Sequence, residues 1–204
     1  IFNVGLIDFE TTLLSKIEER GKVVNLSQGI ELIAGSCSHA HTPAKQAASG
    51  GDDTSCAEPH NHSHAHGVDP HVWTSPRALQ KMAQNAYAAI RRAYPDSAKY
   101  TVNYGKLKAA LQQLDAEVGA RLQEAGTRYF LIYHPALTYY ARDYGISQVA
   151  IDNEGKEPSA KELARIIRQA RADGITRIFY QSQFPASTVE IIARDLGATS
   201  IAID

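Results

Sequence analysis

The amino-acid sequence predicts an α/β fold built on parallel sheet, and three observations carry that expectation. After Gly126, short apolar runs alternate with amphipathic stretches of helical period, the signature of consecutive βαβ units whose sheet is covered on both faces. Residues 1–34 repeat the alternation once: strand, helix, strand. The composition, 44% apolar with 21 basic and 22 acidic residues, lets a chain of 204 residues bury the core such a fold needs.

In order along the chain, a short apolar strand opens the sequence, an amphipathic helix is expected around Phe9 to Arg20, Gly21 stops it, and a strand follows at Lys22 to Leu26. Two strands are too few for a stable sheet by themselves. A polar, Gly/Ser-rich segment from about 35 to 67 then intervenes, and a stretch of this length without structural periodicity is expected to be functional or disordered rather than architectural, and mobile. Ser75-Pro76 reads as an N-cap followed by a first-turn proline, so a helix should run from Pro76 to about Tyr94. Pro95 breaks it. A second helix should run from near Asp96 to about Glu124, with Tyr100, Tyr104, Leu107, Leu111, Leu114, Val118 and Leu122 forming one packing stripe. Strands are then expected at Tyr129 to Tyr133, Ser147 to Ile151, Thr176 to Tyr180 and Ser200 to Ile203. Helices should lie near Ala136 to Asp143, Ser159 to Asp173 and Ala186 to Leu196.

Right-handed crossovers would place all strand ends of this series along one edge, where open α/β sheets bind ligands. His134 directly follows the first of these strands, Gln181 and Gln183 the third, and Asp204 the last. The two glutamines read as supporting or structural groups, because amide side chains are poor metal ligands. Trp73, Tyr139 and Tyr140 are expected to be packing groups around this edge.

Composition also excludes partners. A formal net charge of −1 supplies no electrostatic footprint for nucleic acid, and no apolar stretch is long enough to cross a bilayer. The chain opens with Ile1-Phe2-Asn3 in place of a Met or a basic and apolar leader, which reads as a processed form or a fragment.

The histidines carry the chemistry. Six of the eight, His39, His41, His60, His62, His64 and His66, fall in the polar segment, set among Asn, Ser, Ala and Gly, so they can gather a borderline-soft cation only loosely. His71 differs. Pro70 stiffens the backbone before it, and Val72 and Trp73 can bury beside it. Both cysteines, Cys37 and Cys56, lie in the same polar segment, and either a disulfide or thiolate ligation fits them. Neutral imidazoles with one carboxylate suit zinc, whereas calcium or magnesium would ask for oxygen ligands. A zinc hydrolase would need an open coordination position and a general base; no HExxH signature occurs, so an enzyme is not expected.

Several motifs in fixed order give the chain a family likeness: Asp69-Pro70-His71-Val72-Trp73-Thr74-Ser75-Pro76, Tyr133-His134-Pro135-Ala136 with Tyr139-Tyr140, Glu157-Pro158-Ser159, Gln181-Ser182-Gln183-Phe184, and the terminal Asp204, with a His-rich insertion ahead of the first. The chain resembles the zinc-specific solute-binding proteins of bacterial ABC importers, in the metal-binding cluster that also holds manganese and iron members. The resemblance implies two α/β lobes of parallel sheet with flanking helices, joined by a long rigid helix, with metal in the cleft between them. The first lobe would comprise residues 1–94 with the His-rich loop 35–67, the connecting helix 95–125, and the second lobe 126–204. It further implies His71 as a zinc ligand from the first lobe and His134 and Asp204 as ligands from the second, with the loop histidines as a low-affinity annex.

A monomer is expected, working outside the cytoplasm, with or without a lipid anchor, that hands zinc to the membrane permease of an importer. A metal-storing or adhesive lipoprotein on the same scaffold is the alternative. Manganese members commonly carry a carboxylate where this chain has His134 and lack the His-rich loop. The family pattern also implies further strands and another histidine ligand upstream of Ile1 and a closing helix beyond Asp204, so the first lobe is expected to be incomplete.

Overall fold

The computed structural model describes residues 1–35, 67–126, 128–152, 158–184 and 186–203. Two parallel sheets organise the described residues. The smaller pairs β1 (Phe2–Asn3) with β2 (Val24–Asn25), in the register Phe2 to Val24 and Asn3 to Asn25. Helix α1 (Asp8–Leu14) crosses between them, and its Glu10 carboxylate accepts from the Val4 and Gly5 amides at 3.1 and 2.8 Å. Gly5 has φ of +79°, and a Cβ there would come within 2.6 Å of the Asn25 side chain, so the turn into α1 requires glycine twice over.

Helix α1 is shorter than its apolar period predicts. Lys16 and Ile17 donate to the carbonyls three residues back, at 3.2 and 3.1 Å, and the Ser15 hydroxyl donates to the Thr12 carbonyl at 2.7 Å, so the last turn tightens and ends. A 3-10 turn at Arg20–Lys22 takes up the start of the expected second strand.

Helix α2 (Pro76–Ala93) begins where the Ser75-Pro76 pair says it should. The Ser75 hydroxyl accepts from the Arg77 and Ala78 amides at 3.2 and 3.4 Å and donates to the Asp143 carboxylate. Helix α3 (Ala98–Ala125) has 28 residues, a rod of roughly 42 Å at the usual rise per residue, and ends at Gly126 in the left-handed conformation. Its apolar stripe is only partly covered: Tyr104 stacks on Tyr87 at 4.1 Å, while Leu107 and Leu114 remain exposed. The stripe is wider than the single helix α2 laid against it, so its flanks stay in solvent.

The larger sheet contains β3 (Tyr129–Ile132), β4 (Ser147–Ala150), β5 (Arg177–Gln181) and β6 (Thr199–Ile203), all parallel, in the order β4-β3-β5-β6. Their bounds fall within one residue of expectation. Helix α4 (Thr138–Tyr144) lies against one face with Phe130, Ile132, Phe179 and Ile203. Helices α5 (Ala160–Ala172) and α6 (Ala186–Leu196) cover the other, over Leu131, Tyr133 and Ile178. The period of two along each strand sends alternate side chains to opposite cores. Each large apolar side chain so buried stabilises the fold by roughly 1.5–3 kcal/mol.

A third cluster joins the two halves of the chain. Tyr139 of α4 is fully buried with Val72 and Met82, against Val4, Leu6, Leu26, Ile30, Ile33 and Leu79. Polar contacts flank it. Arg142 donates to the Glu31 carbonyl at 2.7 Å, Arg77 reaches the Asp143 carbonyl and, at 3.0 Å, the Asp115 carboxylate, and the Tyr144 hydroxyl donates to Asp115 at 2.9 Å. No described helix is long and apolar enough to cross a membrane.

Candidate metal centre

In the strand order β4-β3-β5-β6 the chain leaves β3 toward β4 on one side and returns to β5 on the other, so β3 and β5 flank the point where the winding reverses. The carboxyl ends of strands at such a point form a natural crevice. His134 follows β3 by one intervening residue, and Gln181 closes β5. The Gln181 amide donates to the His134 carbonyl at 3.2 Å, and the Phe184 ring stacks on the His134 imidazole with centroids 5.1 Å apart. Gln183, by contrast, is exposed.

His71 reaches the same place from the other half of the chain. Asp69 and Pro70 shape its approach: the Asp69 carboxylate accepts from the His71 backbone amide at 2.9 Å, a local turn, and from His71 Nδ1 at 2.7 Å. Trp73 packs beside the ring at 5.4 Å. The imidazoles of His71 and His134 stand edge to face, 5.3 Å between centroids and 77° between planes. They line a cavity of about 510 Å³ together with Leu6, Ile7, Pro70 and Pro135.

His134 has a matching partner that the sequence did not single out. Asp152, buried just beyond β4, has Oδ2 2.7 Å from His134 Nδ1, and its backbone amide donates to the Tyr133 carbonyl at 2.7 Å. A carboxylate only accepts, so each imidazole carries a proton on Nδ1, and in the neutral ring Nε2 is the nitrogen that keeps a lone pair. A carboxylate on Nδ1 fixes the orientation of an imidazole ring, and such pairs are the usual support of metal-ligating histidines. Burial pushes the Asp69 carboxyl up, but hydrogen bonds from the His71 ring and amide and from the Thr138 hydroxyl outweigh it, and the net pKa lies below the ordinary 3.8.

Asp69 was visible inside a motif but not read as a positioning group. The signal available was an acid two residues before a histidine across a proline. For Asp152 it was an acid at the fourth strand end, the one the strand-end reading passed over. Asp204, Glu157, the two cysteines and His39, His41, His60, His62, His64 and His66 lie outside the described residues. Among the described residues no group of three or more His, Cys, Asp or Glu side chains closes round one point. A larger groove, about 790 Å³, runs along the α4 face of the sheet past Phe130, Ile146, Phe179 and Ile203, and its lining contains no histidine.

Known proteins share this fold. The chain is 32% identical over 137 residues to the high-affinity zinc uptake system protein ZnuA of Bacillus subtilis, an alignment covering 66% of this chain and 43% of that protein. It is 31% identical over 137 residues to the zinc-binding protein AdcA of Streptococcus pyogenes, covering 66% of this chain and 27% of that one. The chain thus spans less than half of the length of these curated relatives. Among solved structures, a zinc-bound deletion mutant of ZnuA superposes with a TM-score of 0.76 at 29% identity, covering all of this chain and 69% of that one. The profile of one family matches residues 1–204 in full, and the chain belongs to that family, described as ZnuA, zinc-uptake complex component A, periplasmic.

Proposed function

We propose that this chain captures zinc outside the cytoplasm and passes it to the membrane permease of an ABC importer. The observation that carries the reading is the pair of facing imidazoles, His71 and His134, each with Nδ1 tied to a carboxylate and Nε2 left to bind. Zinc suits two neutral imidazoles with a carboxylate, and Asp204, one residue beyond β6, is the third ligand in this proposal. The names of the Bacillus and streptococcal relatives, zinc uptake and zinc binding, point the same way.

The site would lie between two lobes, residues 1–94 and 126–204, with 95–125 as the connecting helix. The six histidines of 39–66 would form a separate, weaker collector, since ordering a polar segment costs free energy that a fixed site does not lose. The chain would act as a monomeric binding protein rather than an enzyme, with zinc as cargo and no nucleic acid among its partners.

Equilibrium zinc titration of the full-length protein tests this. His71→Ala and His134→Ala should each weaken the tightest site by roughly tenfold or more, at least the cost of disturbing a ligand's supporting partner. Unchanged affinity in both variants would overturn the assignment.

A further inference from the structure

We infer that Tyr139 is a positioning residue for His71, holding a ligand of one half of the chain from a helix of the other. The inference rests on His71 being a ligand, as proposed above. Its own footing is geometric. The Tyr139 hydroxyl donates to the Asp69 carbonyl at 2.7 Å and accepts from the Ile33 amide at 3.2 Å. Asp69 is the residue that grips His71 by both ring and backbone. Ile33 is in turn paired with Asp69, whose amide donates to the Ile33 carbonyl at 2.9 Å, beside the antiparallel bridge of Ala34 with Val68.

One hydroxyl therefore closes a ring of hydrogen bonds around the segment from which His71 projects. The Tyr139 ring is fully buried, with the Arg142 guanidinium 5.1 Å from its centroid, so the hydroxyl has little freedom to move. His134 lies on the same connection, five residues before Tyr139 and two after the end of β3. Packing alone would not require the hydroxyl; its bond to the carbonyl of Asp69, the residue that grips His71, is what singles it out.

Tyr139→Phe in the full-length protein removes the hydroxyl and keeps the ring. Tyr144→Phe is the control, because it removes a comparable 2.9 Å bond in the same helix, to Asp115 and away from the imidazoles. Two measurements are made on both variants: zinc affinity by competition titration, and the ¹⁵N resonances of the imidazoles in the metal-free protein. Tyr139→Phe should weaken zinc roughly tenfold, as loss of a supporting partner does, and shift the His71 ring resonances while leaving those of His134 in place. Tyr144→Phe should do neither. If Tyr139→Phe lowers only the melting temperature, with affinity and His71 resonances unchanged, the residue is structural and the inference falls. If His71→Ala itself binds zinc normally, the proposed function fails, and the metal-free resonances still decide whether Tyr139 orients the ring.

Discussion

Asp152 and His134 are eighteen positions apart in sequence, yet they meet through a 2.7 Å bond between Oδ2 and Nδ1 because the ends of β4 and β3 are adjacent in a parallel sheet. The pairing is a product of register. Ser147 faces Tyr129 and Ala150 faces Ile132, so the next residues on each strand emerge together. Loss of the charge at that contact should be felt at the imidazole.

Asp152→Asn keeps the size of the side chain and removes its charge. Zinc affinity is expected to fall about tenfold to a hundredfold, the usual cost of altering a ligand's carboxylate partner. Competition titration against a chelator of known affinity measures it, and wild-type binding would contradict the proposed orientation of His134.

Deleting residues 39–66 should reduce the number of weakly bound zinc ions and leave the tightest site in place. The base of the segment is already closed, since the Gly35 amide donates to the Gly67 carbonyl at 2.6 Å. Calorimetric titration of the deleted and complete proteins separates the two classes of site; loss of the tight class would locate a principal ligand within the deleted stretch.

Ile178 is fully buried between the large sheet and α5 and α6, whereas Ile191 on α6 is 64% exposed. Ile178→Ala should cost about 2–5 kcal/mol through lost burial and the cavity left behind. Ile191→Ala should stay within about 0.5 kcal/mol of the parent. Urea unfolding of both variants makes the comparison.

Burial first, and then the hydrogen bond and charge of Asp115, push the Tyr144 phenol well above its ordinary 10, against an opposing pull from Arg77. Tyr139 and Tyr140 are raised too, chiefly by burial. A phenol that holds its proton more tightly when folded contributes its full stability below the unfolded pKa of 10 and loses it as pH climbs toward the folded value. Melting temperatures should therefore decline above about pH 10, and Tyr144→Phe should flatten that decline. An identical slope in the variant would remove Tyr144 from the account.

The second half of the fold was legible because its signals are local. Ser75-Pro76 marks the start of α2, and short apolar runs separated by amphipathic ones place β3 to β6. The limits of α1 were not legible, since Ser15 ends the helix through a bond to Thr12 that competes with an otherwise helical apolar period. The flanks of the α3 stripe misled because periodicity reports which side could be buried, not how much neighbour arrives to bury it. In the candidate site, His71 and His134 stood out by residue type and motif. Asp152 and the Tyr139 hydroxyl did not, because their roles depend on strand adjacency and on a contact between positions 69 and 139 that no local pattern encodes.

The Tyr139 hydroxyl meets backbone at both ends, the Ile33 amide and the Asp69 carbonyl, and every residue type except proline offers both groups. Drift at position 33 can therefore exchange one side chain for another without breaking the clasp. Position 139 has no such latitude, because only a tyrosine combines that reach with a hydroxyl. The constraint runs one way, and the paired substitutions that usually betray a contact between distant positions would leave no trace of this one.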